Sequence, residues 1–242
     1  MMHIKSITIA TLLSLSFANL AWAADHIDEQ LGEKSSQLFH MFRLEINSGV
    51  GQNDRISSWD FGGWIGGDIN KLWLKSEGEV VDGKTESAEF WALYSRNIDT
   101  FWDAEIGIRQ ETQADSTTYL VAGLSGLAKY FFQTEMRLFI SDEGDISTRI
   151  RQENDFLLTQ RLILQPYLVA NLYAQDVANQ EVGSGLANGE IGLQTRYEIT
   201  RKFAPYMDMR YERKFGETSS IAKNKGERND DFIVSVGLRL MF

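Results

Sequence analysis

The end of the chain constrains the fold most. Over Phe232–Phe242 one face carries Phe232, Val234, Val236, Leu238, Leu240 and Phe242, and the other carries Ile233, Ser235, Gly237, Arg239 and Met241. Successive side chains of a β-strand point to opposite faces, so this period of two is a strand signature. A long strand with one wholly apolar face suits a sheet that meets lipid on that side. The aromatic Phe242 at its end matches the feature by which a barrel-assembly machinery recognises outer-membrane clients. Taken alone, the segment also fits an ordinary strand of a soluble sheet.

Other segments repeat the pattern. Trp102, Ala104, Ile106 and Ile108 alternate with Asp103, Glu105, Gly107 and Arg109. Thr134, Met136, Leu138 and Ile140 alternate with Gln133, Glu135, Arg137 and Phe139. Ile191, Leu193, Thr195 and Tyr197 alternate with Glu190, Gly192, Gln194 and Arg196, and Met207, Met209 and Tyr211 with Asp208, Arg210 and Glu212. A soluble sandwich would place the apolar face inside and the charges outside. A membrane barrel reverses that sense, and periodicity does not separate the two.

The start of the chain favours the membrane. Met1–Lys5 carries one positive charge, Ile7–Leu20 is mostly apolar, and Ala21-Trp22-Ala23 offers small residues at signal-peptidase spacing. This is the layout of a secretory signal peptide, with an apolar stretch too short to span a bilayer. Residues 1–23 are expected to be that cleaved peptide, 24–37 a short acidic periplasmic tail, and 38–242 an outer-membrane β-barrel domain. The sequence has no cysteine, so disulfides, zinc ribbons and thiolate catalysis are excluded. Two prolines against 20 glycines, 12% aromatics and no apolar run of 18 residues after the leader suit strands that alternate between lipid and lumen. The formal net charge of −10 disfavours nucleic acid and attracts cations.

The pattern predicts an all-β transmembrane antiparallel barrel of about twelve strands, within two. They fall near 38–49, 57–66, 69–80, 86–97, 101–112, 116–126, 131–140, 145–156, 162–174, 186–199, 203–214 and 231–242. An even count places both termini on the periplasmic side. Long polar connections are expected at Gly49–Ser57, Ala174–Gly185 and Phe215–Asp230, and short ones at Gly66–Asp68, Ile98–Thr100, Leu127–Tyr130, Leu157–Arg161 and Thr200–Lys202. Trp59, Trp64, Trp102, Tyr130, Phe131, Tyr197, Phe203 and Phe215 fall near strand ends, where an aromatic girdle belongs. Pro166 and Pro205 sit early in their strands, where a lost ladder bond costs least.

Several stretches are more specific than a barrel requires. They are Trp64-Ile-Gly-Gly-Asp-Ile-Asn-Lys-Leu-Trp-Leu-Lys-Ser-Glu-Gly-Glu79, Ala92-Leu-Tyr-Ser-Arg96 with Phe101-Trp-Asp103, and Leu157-Leu-Thr-Gln-Arg-Leu-Ile-Leu-Gln-Pro166. Gly183-Ser-Gly-Leu186, Phe203-Ala-Pro-Tyr206 and Tyr211-Glu-Arg-Lys-Phe-Gly216 complete the set. In this order, from about Ser57 to Phe242, they resemble the copper resistance protein B family of outer-membrane proteins. The resemblance implies a role in copper tolerance, with copper as ligand or cargo, beside a periplasmic multicopper oxidase or copper-binding protein. Many members carry a Met- and His-rich segment before the barrel. Beyond residue 23 this sequence has only His26 and His40 and five methionines, so thioether clusters suited to Cu(I) are scarce.

Two groups of residues are candidates for meeting copper. Cleavage after Ala23 would expose Ala24-Asp25-His26, whose amine, two backbone amides and imidazole suit the square-planar nitrogen set of Cu(II). The inward row of carboxylates, Glu77, Glu79, Asp103, Glu105, Glu135, Glu190, Asp208 and Glu212, could line a cation path. The same row, with basic residues such as Lys71, Lys75, Arg137, Arg149 and Arg210, could instead close the lumen with ion pairs. His40 shares a face with Phe42, Leu44 and Ile46 and reads as a girdle residue, and Met207 and Met209 share an apolar face with Tyr211.

The leading expectation is therefore a copper-binding or copper-moving barrel and not an enzyme. A general pore or structural barrel is the first alternative. An outer-membrane hydrolase is the last, because neither His26 nor His40 belongs to an outer loop. The tail yields a direct test. A mature chain starting at Ala24 is expected to bind one Cu(II), more weakly as pH falls, because the nitrogen ligands must lose protons. Spectroscopic titration should show the site lost in His26→Ala and in a variant with one residue added before Ala24. Unchanged affinity in the extended variant, or a mature terminus elsewhere by mass spectrometry, would remove the site.

Overall fold

The structure, a computed structural model, describes residues 38–52, 54–112 and 116–242. The segments read as signal peptide and acidic tail, with Ala24, Asp25 and His26, lie outside the described residues. Twelve antiparallel strands make up the barrel: β1 Phe39–Val50, β2 Arg55–Gly66, β3 Asn70–Val81, β4 Lys84–Asp99, β5 Trp102–Glu111 and β6 Thr117–Leu127. They continue as β7 Gln133–Ser141, β8 Ile146–Glu153, β9 Leu162–Tyr173, β10 Gly185–Tyr197, β11 Phe203–Lys214 and β12 Asp230–Met241. Each strand pairs with its neighbours in sequence, and β12 returns to β1 from Arg43↔Met241 to Val50↔Val234. The ring closes with reciprocal backbone bonds between Phe42 and Phe242 at 2.9 and 3.0 Å. Closure matters because an unpaired backbone group in hydrocarbon costs several kcal/mol.

The expected strands and faces are observed. Val236 is 64% exposed on the outer face while Ser235, its neighbour on the inner face, is 3% exposed. Ile46, Ile106, Leu120 and Ile191 are likewise exposed on the outside. His40 is exposed beside the Phe42 ring, as its girdle reading requires. Trp64 departs from its expectation. It sits in register with Trp73, its ring 6.4 Å away, on the face where Lys71 lies over it at 5.6 Å, and that face is the lumen.

One connection differs in length. The segment expected as a long loop at Gly49–Ser57 is short, because β1 and β2 pair up to Val50↔Arg55. The link from β3 to β4 is the two-residue turn Asp82-Gly83, with φ of 48° and 80°. Two positive φ values fit a hairpin turn whose twist matches the strands, and Gly83 adopts its value without strain. The two remaining long connections, 174–184 and 215–229, lie at the same end, here called the loop end. The opposite turn end holds the start of β1 and the finish of β12. There Phe101, Tyr130 and Phe131 are highly exposed, and Trp102, Tyr197 and Phe203 share the outer face.

Pro166 explains an interruption that sequence patterning did not predict. With no N–H to donate, it breaks the pairing of β9 with β8 between Tyr167↔Glu153 and Leu164↔Phe156. Asn154 keeps a backbone bond, its N–H donating to the Pro166 carbonyl at 3.2 Å, while Asp155 turns to Arg196 inside the barrel. The connection 215–229, expected as a polar loop, contains helix α1, Gly216–Asn224. Glu217 in its first turn and Lys223 in its last suit the helix dipole. Thr218 and Ala222 are buried, and the Gly183 N–H donates to Thr218 Oγ1 at 3.0 Å. In the partner loop the Ser184 N–H donates to Asp176 at 2.7 Å and holds that carboxyl below its usual range.

The face assignment predicts an asymmetric response to charge. Val236→Arg places a cation against lipid and is expected to cost about 2–4 kcal/mol. Ser58→Arg enters a polar cavity beside Asp60 and Glu77 and should cost far less. Unfolding titrations in detergent or lipid would compare them, and equal losses would invert the faces.

Candidate functional site

The inward residues are not evenly polar. On β4, β6 and β7 the lumen side carries Trp91, Leu93, Tyr119, Val121 and Phe139, each at most 3% exposed, with Trp73 packed beside them. Trp91 meets Phe139 edge-on at 5.4 Å. The Arg109 guanidinium from β5 lies 3.9 Å from the Tyr119 ring centre and 4.5 Å from that of Phe139. Such cation–π contacts gain strength when water is excluded. The β4–β7 half of the lumen is thus filled. Glycine permits part of this packing: a Cβ at Gly123 would lie 2.9 Å from Arg137 Cγ, and without one Arg137 crosses β6 to Glu105 at 3.0 Å.

Ion pairs then cross the barrel from β3. Lys75 reaches Glu135 on β7 at 3.5 Å, Glu77 reaches Arg149 on β8 at 3.8 Å, and Glu79 reaches Arg210 on β11 at 2.7 Å. Three residues at alternate positions of one strand are tied to three different strands of the far wall. The period of two puts all three on the inner face. The ties bound a cavity of about 310 Å³ lined from β8–β12 and β1–β4. No residue of β5, β6 or β7 lines it.

Nine carboxylates and five guanidinium groups line this cavity, an excess of negative charge. Glu79, Glu190 and Glu212 also line a second cavity, about 440 Å³, that continues toward the loop end past Asp230 and Asp231. Glu190 and Glu212 are direct cross-strand partners, which sets two like charges side by side. Arg210 answers Glu212 at 2.6 Å and Glu79 at 2.7 Å. Asp208 accepts from the Tyr167 hydroxyl at 3.2 Å, while its other oxygen and the Ser235 hydroxyl, on the paired residue, have no partner.

The eight carboxylates expected to face inward all do so, but they divide. Glu77, Glu79, Glu190, Asp208 and Glu212 line the open cavity. Asp103 is held by Lys71 at 3.0 Å, Glu105 by Arg137, and Glu135 by Lys75 and Arg137, on the filled side. Arg43, Glu45, Asp60 and Glu89 also line the cavity and escaped the sequence reading. Alternation with Phe42, Leu44 and Ile46 was the available signal for Arg43 and Glu45. Among the described residues no three His, Cys, Asp or Glu side chains converge as a metal-ion cage. Met207 lies on the outer face, 37% exposed, with Met209 beside it on the same row.

The family model described as copper resistance protein B precursor matches residues 36–242. Copper resistance protein B of Escherichia coli is 42% identical over 191 residues, covering 78% of this chain and 64% of the relative. A copper resistance protein B homolog of Pseudomonas syringae pv. tomato is 41% identical over 186 residues, covering 76% of this chain and 63% of the relative. The matched region thus spans slightly under two thirds of either relative. Among solved structures, the NanC porin superposes with a TM-score of 0.56 at 12% identity, covering 81% of this chain and 98% of the porin. The KdgM porin gives 0.53 at 10% identity, covering 83% and 99%. At such identities the likeness is one of fold.

The filled half gives a stability prediction. Arg137 and Glu105 are each 5% exposed, so Arg137→Ala strands a buried carboxylate and is expected to cost about 3–5 kcal/mol. The paired change Arg137→Met with Glu105→Gln should recover most of that loss. Urea unfolding of the three forms measures it, and a double variant no better than the single one would contradict the pairing.

Proposed function

The chain belongs to the copper resistance protein B family, and on that footing we propose that it is an outer-membrane barrel whose lumen takes up copper ions and passes them across the membrane. The observation that carries this reading is the off-axis cavity with its excess of carboxylates, continuous with the vestibule at the loop end. Such a wall raises the local concentration of any cation. In this reading the loop end faces outward, and both termini lie on the periplasmic side beside a multicopper oxidase or copper-binding partner. Membrane lipid surrounds the apolar band, and the barrel-assembly machinery inserts it.

Oxygen ligands alone do not select copper, since carboxylates equally suit harder cations. Selectivity is assigned to the candidate nitrogen site at Ala24, Asp25 and His26, or to the partner. The same cavity also fits a second reading, a small cation pore without preference for copper. A hydrolase is disfavoured, because His40, the histidine among the described residues, sits at the start of β1 on the outer face.

Liposomes holding the protein and a copper-sensitive dye test the proposal. Copper entry should exceed that of empty liposomes and fall several-fold in Glu190→Gln with Glu212→Gln. Entry of calcium and magnesium at the same rate would favour the unselective pore, and entry no faster than in empty liposomes would end the transport reading.

A further inference from the structure

The cavity has a floor. Gln194 Nε2 donates to Glu45 Oε2 at 3.0 Å, Arg239 Nε donates to Glu45 Oε1 at 2.7 Å, and Arg239 Nη2 donates to Gln194 Oε1 at 2.8 Å. These three residues come from β1, β10 and β12, so the triangle bridges over β11. Ala204, the β11 residue in register with Arg239, is too short to obstruct it. Gln165 extends the bridge to β9, accepting from Arg239 at 3.3 Å and from Arg196 at 3.2 Å, and Arg196 continues to Asp155 beyond the end of β8. In the other direction Arg43 joins Glu45 to Asp60 on β2, at 3.4 and 3.6 Å. The chain of contacts therefore follows the arc from β8 round to β2, most of the wall that the cavity touches.

Every member of the central bridge is at least nine-tenths buried: Glu45, Gln165, Gln194, Arg196 and Arg239 are 8%, 6%, 8%, 4% and 9% exposed. Glu45, Gln165, Gln194 and Arg239 line the cavity, whereas Arg196 and Asp155 lie behind them toward the turn end. A cation descending from the loop end meets a guanidinium already seated on the Glu45 carboxylate, with both hydrogen-bonding faces of Gln194 occupied. The β4–β7 side offers no detour, because aromatic rings fill it.

We propose that Glu45, Gln194 and Arg239 are the permeation-determining residues of this barrel and that their bridge seals the lumen in the state described. This inference rests on the reading of the lumen as an ion route. The carrier cation for its test is potassium, so the result does not depend on copper. Arg239 supplies both the plug and the repulsive charge. Gln194 holds it in place through neutral groups, and its removal strands no charge.

Planar bilayers in potassium chloride provide the measurement. Wild-type protein should show little unitary conductance. Gln194→Ala should raise it several-fold, and Arg239→Ala should raise it further and shift the reversal potential toward that of potassium, because Glu45 then faces the route with less compensation. Lys71→Met removes an ion pair to Asp103 on the filled side, away from the cavity lining, and should leave conductance at the wild-type level. Heat-modifiable migration on gels confirms a folded barrel for each variant, and Gln194→Ala carries the test if Arg239→Ala does not fold. Wild-type conductance equal to that of Gln194→Ala would overturn the proposal, as would an equal rise in Lys71→Met. If potassium passes as expected while liposomes admit no copper, the seal stands and the copper reading fails.

Discussion

Everything in this molecule depends on the β1–β12 ladder. Lipid offers no hydrogen bonds, so a sheet survives there only if its first and last strands pair. The chain meets that demand with register-matched pairing from Arg43↔Met241 to Val50↔Val234. Once closed, the ring turns half of every strand toward an enclosed space, and the contents of that space follow from the same period of two that makes the outside apolar.

Those contents separate into two materials. On the β4–β7 side an aromatic and aliphatic cluster fills the interior, with arginines lying against ring faces and carboxylates held in ion pairs around it. On the other side they are carboxylates, arginines and amides around open volume. The ties from Lys75, Glu77 and Glu79 run along the boundary. A wide barrel would otherwise enclose a broad aqueous channel. Here a narrow, one-sided, negatively charged space remains, and the family to which the chain belongs gives that space a chemical context.

The strands and their faces were legible because alternation is local: each segment declares its own two sides. Helix α1 was not, since Gly216–Asn224 is polar and its helix is held by Thr218 against a different loop. The filled half was hidden for another reason. On β4 the inward row reads Glu89, Trp91, Leu93 and Ser95, so neither face looks like a lumen face until Arg109, Tyr119 and Phe139 are placed beside it. Glu45 could be assigned inward by parity, but its bond to Gln194 spans a separation of 149 residues. Partners that far apart carry no mark of each other in sequence. Ala24, Asp25 and His26, the nitrogen set expected for Cu(II), lie outside the described residues.

The row on β3 has a consequence for how the barrel is built. Lys75, Glu77 and Glu79 are synthesised long before Glu135, Arg149 and Arg210, the groups that neutralise them. Until those later strands arrive, the three charges share one edge-to-edge face that must stay hydrated, because no near neighbour completes the set. An open sheet carrying that row cannot enter hydrocarbon cheaply. The interior is therefore completed from the far end of the chain: the later strands bring the counter-charges to the β3 row. The cross-ties that brace the folded protein also mark its completion, since a ring missing β11 would hold Glu79 in its interior without Arg210.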